Sequence, residues 1–207
     1  MEIDDVTLEE GATLVREARS VVEAYLRMLK KVDVNIPKRL HKKLGVFVTI
    51  EKYPSHELRG CIGFPKPIFD LRKGLVEASI SAASRDPRFI PMNVEELKNV
   101  TFEVSILTPP EKIKYKSLNE LRNSITIGVH GLIAKKNGYE GLLLPQVPVE
   151  YKWNVDEFLS HTCSKAGLPS SSWRSGDVVF YSFSGVVFTE TEPKGEVIRK
   201  NLAVNRD

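Results

Sequence analysis

Cys61 stands two residues after an arginine and between two glycines, in the run Leu58-Arg59-Gly60-Cys61-Ile62-Gly63. A thiol in such company has two uses. As a thiolate it is a nucleophile, provided a cation, a helix N-terminus or a histidine base lowers its pKa. Arg59 supplies the cation, and His130 or His56 could supply the base. Without that help a free cysteine is a small buried hydrophobe. Arg59 also has two readings. Its planar fork suits an anion or a peptide carboxylate, or it closes a structural ion pair, for which Glu103 is the expected partner. A cysteine-phosphatase loop is not supported, because the chain continues Ile62-Gly63-Phe64-Pro65-Lys66-Pro67 with no arginine to close it.

Four other places carry candidate chemistry. Arg88, in Asp86-Pro87-Arg88-Phe89-Ile90-Pro91, either lines the mouth of a cleft or belongs to a loop stapled by Phe89 and Pro91. His130, between Gly128 and Gly131, lies on a permissive turn that a ligand could approach or that simply faces solvent. Gln146 and Glu150, in a loop stiffened by Pro145 and Pro148, could contact substrate. Cys163 lies in a helix and reads as core. The candidate sets are therefore Cys61 and His130 for catalysis, and Arg59, Gly60, Gly63, Arg88, Glu103 and Gln146 for binding.

Several classes find no support. The four histidines are scattered and neither cysteine belongs to a C-x-x-C pair, so no metal site or cofactor is expected. Two cysteines in 207 residues make no disulfide framework, and the N-terminus lacks a basic segment followed by an apolar run. Both features point to a cytoplasmic protein with free thiols, and no apolar run is long enough to cross a bilayer. The net charge of +3 comes from 30 basic and 27 acidic residues that are interleaved, so Lys42-Lys43 and Lys135-Lys136 read as solvated faces. Nucleic acid is thus a minor alternative as partner, and glycine-rich phosphate loops are absent. Gln146 is the sole glutamine among many Lys and Glu, a bias that leans towards a thermophile.

These residues need elements to position them. Thr7-Leu8-Glu9-Glu10 is a capping box that opens a helix to about Lys31, with Leu8, Ala12, Val15, Val22, Leu26 and Leu29 on its apolar stripe. Gly45–Glu51 and the Cys61 segment read as strands. Alternation would put Leu58 and Ile62 on one face and Arg59 and Cys61 on the other. The glycines suggest a bulge, or the close approach of a backbone or ligand. Asp70 caps a second helix carrying Leu71, Leu75, Val76, Ile80 and Ala83, and Asn93 caps a short one. In Val100–Leu107, Val100, Phe102, Val104 and Ile106 should face in, and Thr101, Glu103 and Ser105 out.

Beyond Thr108-Pro109-Pro110 a short helix is expected over 117–121, then strands at Ser124–Ile127, Gly131–Lys135 and Glu140–Leu144 with an Asn137-Gly138 hairpin turn. Asn154 and Glu157 cap a helix ending near Gly167. Two strands follow, Val178–Phe183 and Val186–Glu190, hinged at Ser184-Gly185, and the tail from Glu192 reads as frayed. Neighbouring hairpins without βαβ alternation give an α+β class. Residues 1–108 with 176–207 form a larger subdomain with a five-stranded antiparallel sheet. Residues 109–175 form a smaller inserted one with three strands.

The Leu58–Gly63 run resembles the signature of the AMMECR domain family. Asp86-Pro87-Arg88-Phe89, Val104-Ser105-Ile106-Leu107, Gly128–Ile133, Leu143–Val147, Trp153 and Cys163–Leu168 also resemble it, in order over residues 8–190. The resemblance implies two unequal subdomains with antiparallel sheets and a cleft into which the signature points. It implies a large substrate, such as a protein, and relatives found beside radical-enzyme and dioxygenase-like proteins. It brings no reaction with it. The leading expectation is binding of a protein or peptide partner oriented by Arg59. The alternatives are a cysteine-dependent modifying enzyme and a nucleotide or nucleic-acid binding module.

Overall fold

The computed structural model describes residues 3–28 and 30–201. Its helices and strands are α1 (Leu8–Met28), β1 (Gly45–Lys52), β2 (Leu58–Phe64), α2 (Leu71–Ser84), β3 (Val100–Leu107), β4 (Glu111–Lys112), α3 (Leu118–Asn123), β5 (His130–Lys136), β6 (Tyr139–Leu143), α4 (Val147–Glu150), α5 (Val155–Lys165), β7 (Val179–Glu190) and β8 (Val197–Arg199). The strands pair antiparallel and the fold is α+β. Two compact units result: the chain up to Pro109 together with Val186–Lys200, and Pro110–Gly185. The junction thus falls inside β7, after Gly185, and the Ser170–Gly176 segment lies within the second unit.

In the first unit α1 begins at the expected capping box: the Thr7 N–H donates to the Glu10 carboxylate at 2.9 Å, and the Glu10 N–H to Thr7 Oγ1 at 3.3 Å. Leu14, Val15, Ala18 and Val22 are buried, whereas Leu8, in the first turn, is exposed. Leu29, expected on the stripe, lies outside the described residues. Asp70 accepts the Lys73 N–H at 3.1 Å and starts α2, which buries Leu71, Leu75 and Ile80 completely. Helix α2 packs on β1 and β2, and α1 on β3. The sheet path runs β2–β1–β3–β7, and β8 pairs with β7. Arg19 of α1 is buried with Glu190 of β7 (Nε to Oε1, 2.7 Å) and also donates to the Leu97 and Val100 carbonyls. Glu190 accepts the Phe102 N–H at 3.0 Å, so this ion pair has its remaining polar groups satisfied and ties α1 to two strands.

In the second unit β5 and β6 form the expected hairpin. Asn137 (φ 50°) and Gly138 (φ 87°) both adopt the left-handed conformation that a tight two-residue turn requires. β5 also pairs with β7, and β4 with β7. Asn154 and Glu157 cap α5 reciprocally, and Trp173, Phe158, Phe180 and Leu121 are buried in the core.

Four expectations are corrected. Ser124–Ile127 is not a strand: Ser124 ends α3, and the Thr126 carbonyl accepts the Val129 and His130 N–H groups, closing a turn. Ser184-Gly185 is not a hinge in secondary structure, because Ser184 stays in register with His130 and β7 runs on through it. The tail is not wholly frayed, since β8 pairs with Phe188–Glu190. Finally, Thr101, Glu103 and Ser105 do not face solvent. β3 has strands on both sides and is buried along its whole length.

Candidate functional site

β2 ends the sheet path, so one side of its backbone has no strand partner. Its register with β1 pairs Gly60 with Ile50 but Leu58 with Glu51, leaving Arg59 as an extra, unpaired residue. This bulge breaks the simple alternation and re-aims side chains on either side of it. Leu58 is consequently 37% exposed and anchors nothing, whereas Arg59 is buried.

The outer backbone groups of β2 at Cys61 are closed by side chains. The Cys61 N–H donates to Asp86 Oδ2 at 2.9 Å, and the Cys61 carbonyl accepts from Arg88 Nη2 at 3.2 Å. Asp86 and Arg88 are themselves joined by two side-chain hydrogen bonds, Nε to Oδ1 at 2.9 Å and Nη2 to Oδ2 at 2.7 Å, and by the Arg88 N–H to Oδ1 at 3.1 Å. The Asp86 side chain is buried and that of Arg88 is 53% exposed. Together they act as a clip where an adjacent strand would bond, one way of protecting a sheet edge. The Arg88 guanidinium holds the Asp86 carboxyl well below the usual carboxylate range, against the opposing effect of burial. The Cys61 and Arg88 N–H groups add to the depression.

Arg59 is committed elsewhere. It donates to Glu96 through Nε (2.6 Å) and Nη2 (3.1 Å) and to the Ile90 carbonyl at 3.0 Å. Glu96, not Glu103, is therefore its ion-pair partner: the row of Glu103 holds Thr49 and Cys61, and the bulge leaves Arg59 outside the pairing with β1. Burial works against ionisation of Glu96. The hydrogen bonds from Arg59 and from the Asn93 N–H outweigh it, so this carboxyl also falls below its ordinary value. The ring of Phe89 lies 5.9 Å from the Arg59 guanidinium carbon and 5.5 Å from that of Arg88.

Both glycines answer to packing. A Cβ on Gly60 would lie 2.1 Å from the Ala82 carbonyl oxygen, so α2 approaches the strand backbone there. A Cβ on Gly63 would lie 2.3 Å from the Phe47 ring, which covers the glycine from its cross-strand position.

On the sheet face away from α2, one row crosses three strands: Cys61 opposite Thr49, and Thr49 opposite Glu103. Cross-strand neighbours in such a row have Cβ atoms about 4.5–5.5 Å apart. The Thr49 hydroxyl donates to Cys61 Sγ at 3.3 Å. Lys200 Nζ lies 2.5 Å from Glu103 Oε2. Phe47, Thr49, Glu51, Cys61 and Gly63 are all half-buried, so this face is partly open over β1 and β2, while Thr101, Glu103 and Ser105 of β3 are buried. Burial pushes the Cys61 thiol up. The Thr49 hydroxyl and the Arg88 charge pull the other way without overcoming it, so the sulfur is a neutral thiol at neutral pH.

Of the remaining candidates, His130, Gln146 and Cys163 belong to the second unit and His56 to the first. His130 accepts the Thr126 N–H on Nδ1 at 3.0 Å, and burial lowers its pKa. It is a neutral imidazole with its proton on Nε2, so neither nitrogen is a free base. Gln146 is half-buried at the start of α4, and its carbonyl accepts the Val149 and Glu150 N–H groups. Cys163 is fully buried in α5, its thiol pushed up to about 11 by burial. His56 is exposed, 3.5 Å from the Glu51 carboxylate. In the first unit the structure thus brings together Cys61, Arg88, Glu103, Arg59, Gly60 and Gly63.

Sequence reasoning missed Thr49, Glu96 and Lys200, whose roles depend on strand register and on distant segments. It also missed a surface stack of three rings, in which Trp153 lies 5.0 Å from Tyr151 and 3.8 Å from His161. Among the described residues, no group of three or more His, Cys, Asp or Glu side chains is placed to hold a metal ion. No helix among them is long and apolar enough to cross a membrane.

Comparison with known proteins gives a consistent picture. The family model described as AMMECR1 matches residues 15–188. A protein of Methanocaldococcus jannaschii is 52% identical over 197 residues, covering 95% of this chain and 98% of that protein. One from Aquifex aeolicus is 49% identical over 174 residues, covering 82% of this chain and 89% of its own length. The crystal structure of an uncharacterized protein from Pyrococcus horikoshii superposes with a TM-score of 0.85 at 46% identity, covering 93% of this chain and 97% of that one.

Proposed function

The chain belongs to the AMMECR1 family, and on that premise we propose that it is a binding protein that receives a protein or peptide segment on the half-buried face of β2 and β1 that carries Cys61 and Thr49. The observation that carries this reading is the half-open polar row of Cys61 and Thr49, ending on the Glu103 carboxylate. Three features support it. The clip of Asp86 and Arg88 closes the edge of β2, so recognition falls to the face rather than to strand addition. The glycine at position 63 and the ring of Phe47 keep that face low beside the thiol. Arg88, half exposed at the border of the row, takes the ligand-facing place that sequence assigned to Arg59, which is spent on Glu96 and the Ile90 carbonyl.

A second reading, a cysteine-dependent modifying enzyme, draws on the Thr49 hydroxyl and the Arg88 charge, both of which favour a thiolate. Burial outweighs them, so binding is the better account.

The test is selection of phage-displayed peptides against the immobilised protein. Enriched peptides should protect Cys61 from maleimide. They should bind Thr49→Arg, which plants a long cation on the row, about tenfold more weakly than wild type. No enrichment, or equal affinity for the variant with no protection of Cys61, refutes the reading.

A further inference from the structure

We infer that the Glu103 carboxylate is a subsite for a lysine side chain of the bound partner, and that Lys200 of this chain is its internal occupant. The inference rests on the binding reading above and names what that face selects.

Glu103 is a costly residue for its position. It is 7% exposed on a strand that has neighbours on both sides. A carboxylate taken out of water there costs several kcal/mol unless a cation and hydrogen bonds compensate. Packing alone is met without charge at the flanking face positions, Thr101 and Ser105, which are buried to a similar degree. The charge is therefore in excess of what the sheet needs, and it sits at the inner end of the row of Thr49 and Cys61.

The cation that meets it is placed as a removable one. Lys200 Nζ lies 2.5 Å from Glu103 Oε2, an oxygen closed off from water, yet the lysine side chain is 43% exposed, so its stem runs from solvent to the carboxylate. Lys200 follows β8, a strand of only three residues. Its own N–H bonds the Val187 carbonyl at 2.8 Å. Of β8 only Val197 is buried, while Ile198 and Arg199 are exposed. A strand of three residues with one buried side chain is a region of low local stability, so it opens at small cost. Moreover, lysine offers a compact point charge on a flexible stem, with none of the bidentate geometry that holds Arg59 and Arg19 in place.

The rest of the row defines the ligand. Thr49 offers a hydroxyl and Cys61 a neutral thiol, so Glu103 is the charge that the row presents. That arrangement accepts one ammonium and repels an acidic side chain. With Lys200 seated, a partner lysine must displace it, and the apparent affinity is reduced by the fraction of molecules in which the seat is filled.

The experiment uses the full chain as wild type, Lys200→Ala, and Lys200→Ala with Glu103→Gln. The probe is a fluorescein-labelled acetyl-Gly-Gly-Lys-Gly-Gly amide, with the glutamate counterpart as control, followed by fluorescence anisotropy and by protection of Cys61 from maleimide. Lys200→Ala should bind the lysine peptide about tenfold more tightly than wild type, as expected for a seat occupied roughly nine-tenths of the time. Binding should weaken with salt, and the double variant should lose the gain. The glutamate peptide should show none. Absence of a gain, or a gain that survives Glu103→Gln, overturns the inference. Should Glu103→Gln fail to fold, protection of Cys61 in Lys200→Ala decides: protection by the lysine peptide alone upholds it, and none, or equal protection by both, overturns it. If selected peptides bind in a Thr49-dependent way while Lys200→Ala gains nothing, this inference falls and the binding reading stands. If no peptide is enriched, the binding reading itself falls.

Discussion

Replacing Asp86 by alanine removes the part that closes the β2 edge. The carboxylate accepts the Cys61 N–H at 2.9 Å, the Arg88 N–H at 3.1 Å, and two guanidinium bonds. Loss of the Cys61 contact leaves a part-buried backbone donor without its carboxylate, which costs about 1–3 kcal/mol. Loss of the Arg88 contacts adds only about 0–1 kcal/mol, because that side chain is half exposed and rehydrates. The sum is a destabilisation of about 1–4 kcal/mol, and Asp86→Asn, which keeps an acceptor oxygen, should cost less.

Urea unfolding measures it, and the fold provides an internal control. Both tryptophans, Trp153 and Trp173, belong to the second unit, while the long helices α1 and α2 belong to the first. The far-UV circular dichroism midpoint should fall, and tryptophan fluorescence should shift less. The pH dependence follows from the depressed pKa of Asp86. A carboxyl whose folded pKa is lowered contributes stability that is fully present above its unfolded value of about 4 and is lost as pH falls through the folded value. The difference between wild type and Asp86→Asn should therefore be constant from neutral pH down to about 5 and shrink only below about 4. Asp86→Ala should also self-associate at high concentration, because the opened edge is a template for another strand. A variant within about 0.5 kcal/mol of wild type, or one that shifts only the fluorescence transition, would refute the clip.

Gly60→Ala forces a Cβ to within 2.1 Å of a helix carbonyl oxygen, so thermal scanning should show a loss of about 1–3 kcal/mol; an unchanged melting temperature would contradict the close approach of α2. Iodoacetamide should label Cys61 with a pH midpoint above that of an ordinary cysteine, and Thr49→Val should move it higher still by removing the hydroxyl donor. Cys163 should stay unlabelled until unfolding. Rapid labelling of Cys61 near neutral pH would restore the nucleophile reading.

Much of the scaffold was legible in the chain because it is local. The capping boxes at Thr7 and Asn154, the cap at Asn93 and the Asn137-Gly138 turn are written within four residues and appear as read. So does the apolar stripe of α2, whose helical spacing needs no knowledge of what it packs against. The short segments misread were those whose fate depends on a neighbour. Ser124–Ile127 has strand composition but is captured by the end of α3, and Ser184-Gly185 has hinge composition but is held extended opposite His130.

The candidate site divides the same way. Sequence alone determined that Cys61 lies on a glycine-rich strand with Arg59 beside it, and that Asp86-Pro87-Arg88-Phe89 forms a loop. It could not determine that this loop closes the edge of that strand, 25 residues away in the chain. Nor could it decide the partner of Arg59. A single bulge residue moves a side chain off one row of a sheet, and alternation counted along the chain cannot detect it. Tertiary structure also chose the state of Cys61, since burial is set by what packs around a strand rather than by the strand itself. It placed Lys200, nearly a hundred residues beyond Glu103, on that carboxylate. Local backbone preference is a property of neighbouring residues and survives in the sequence. Register, burial and ion-pair choice are properties of segments brought together, and only the fold decides them.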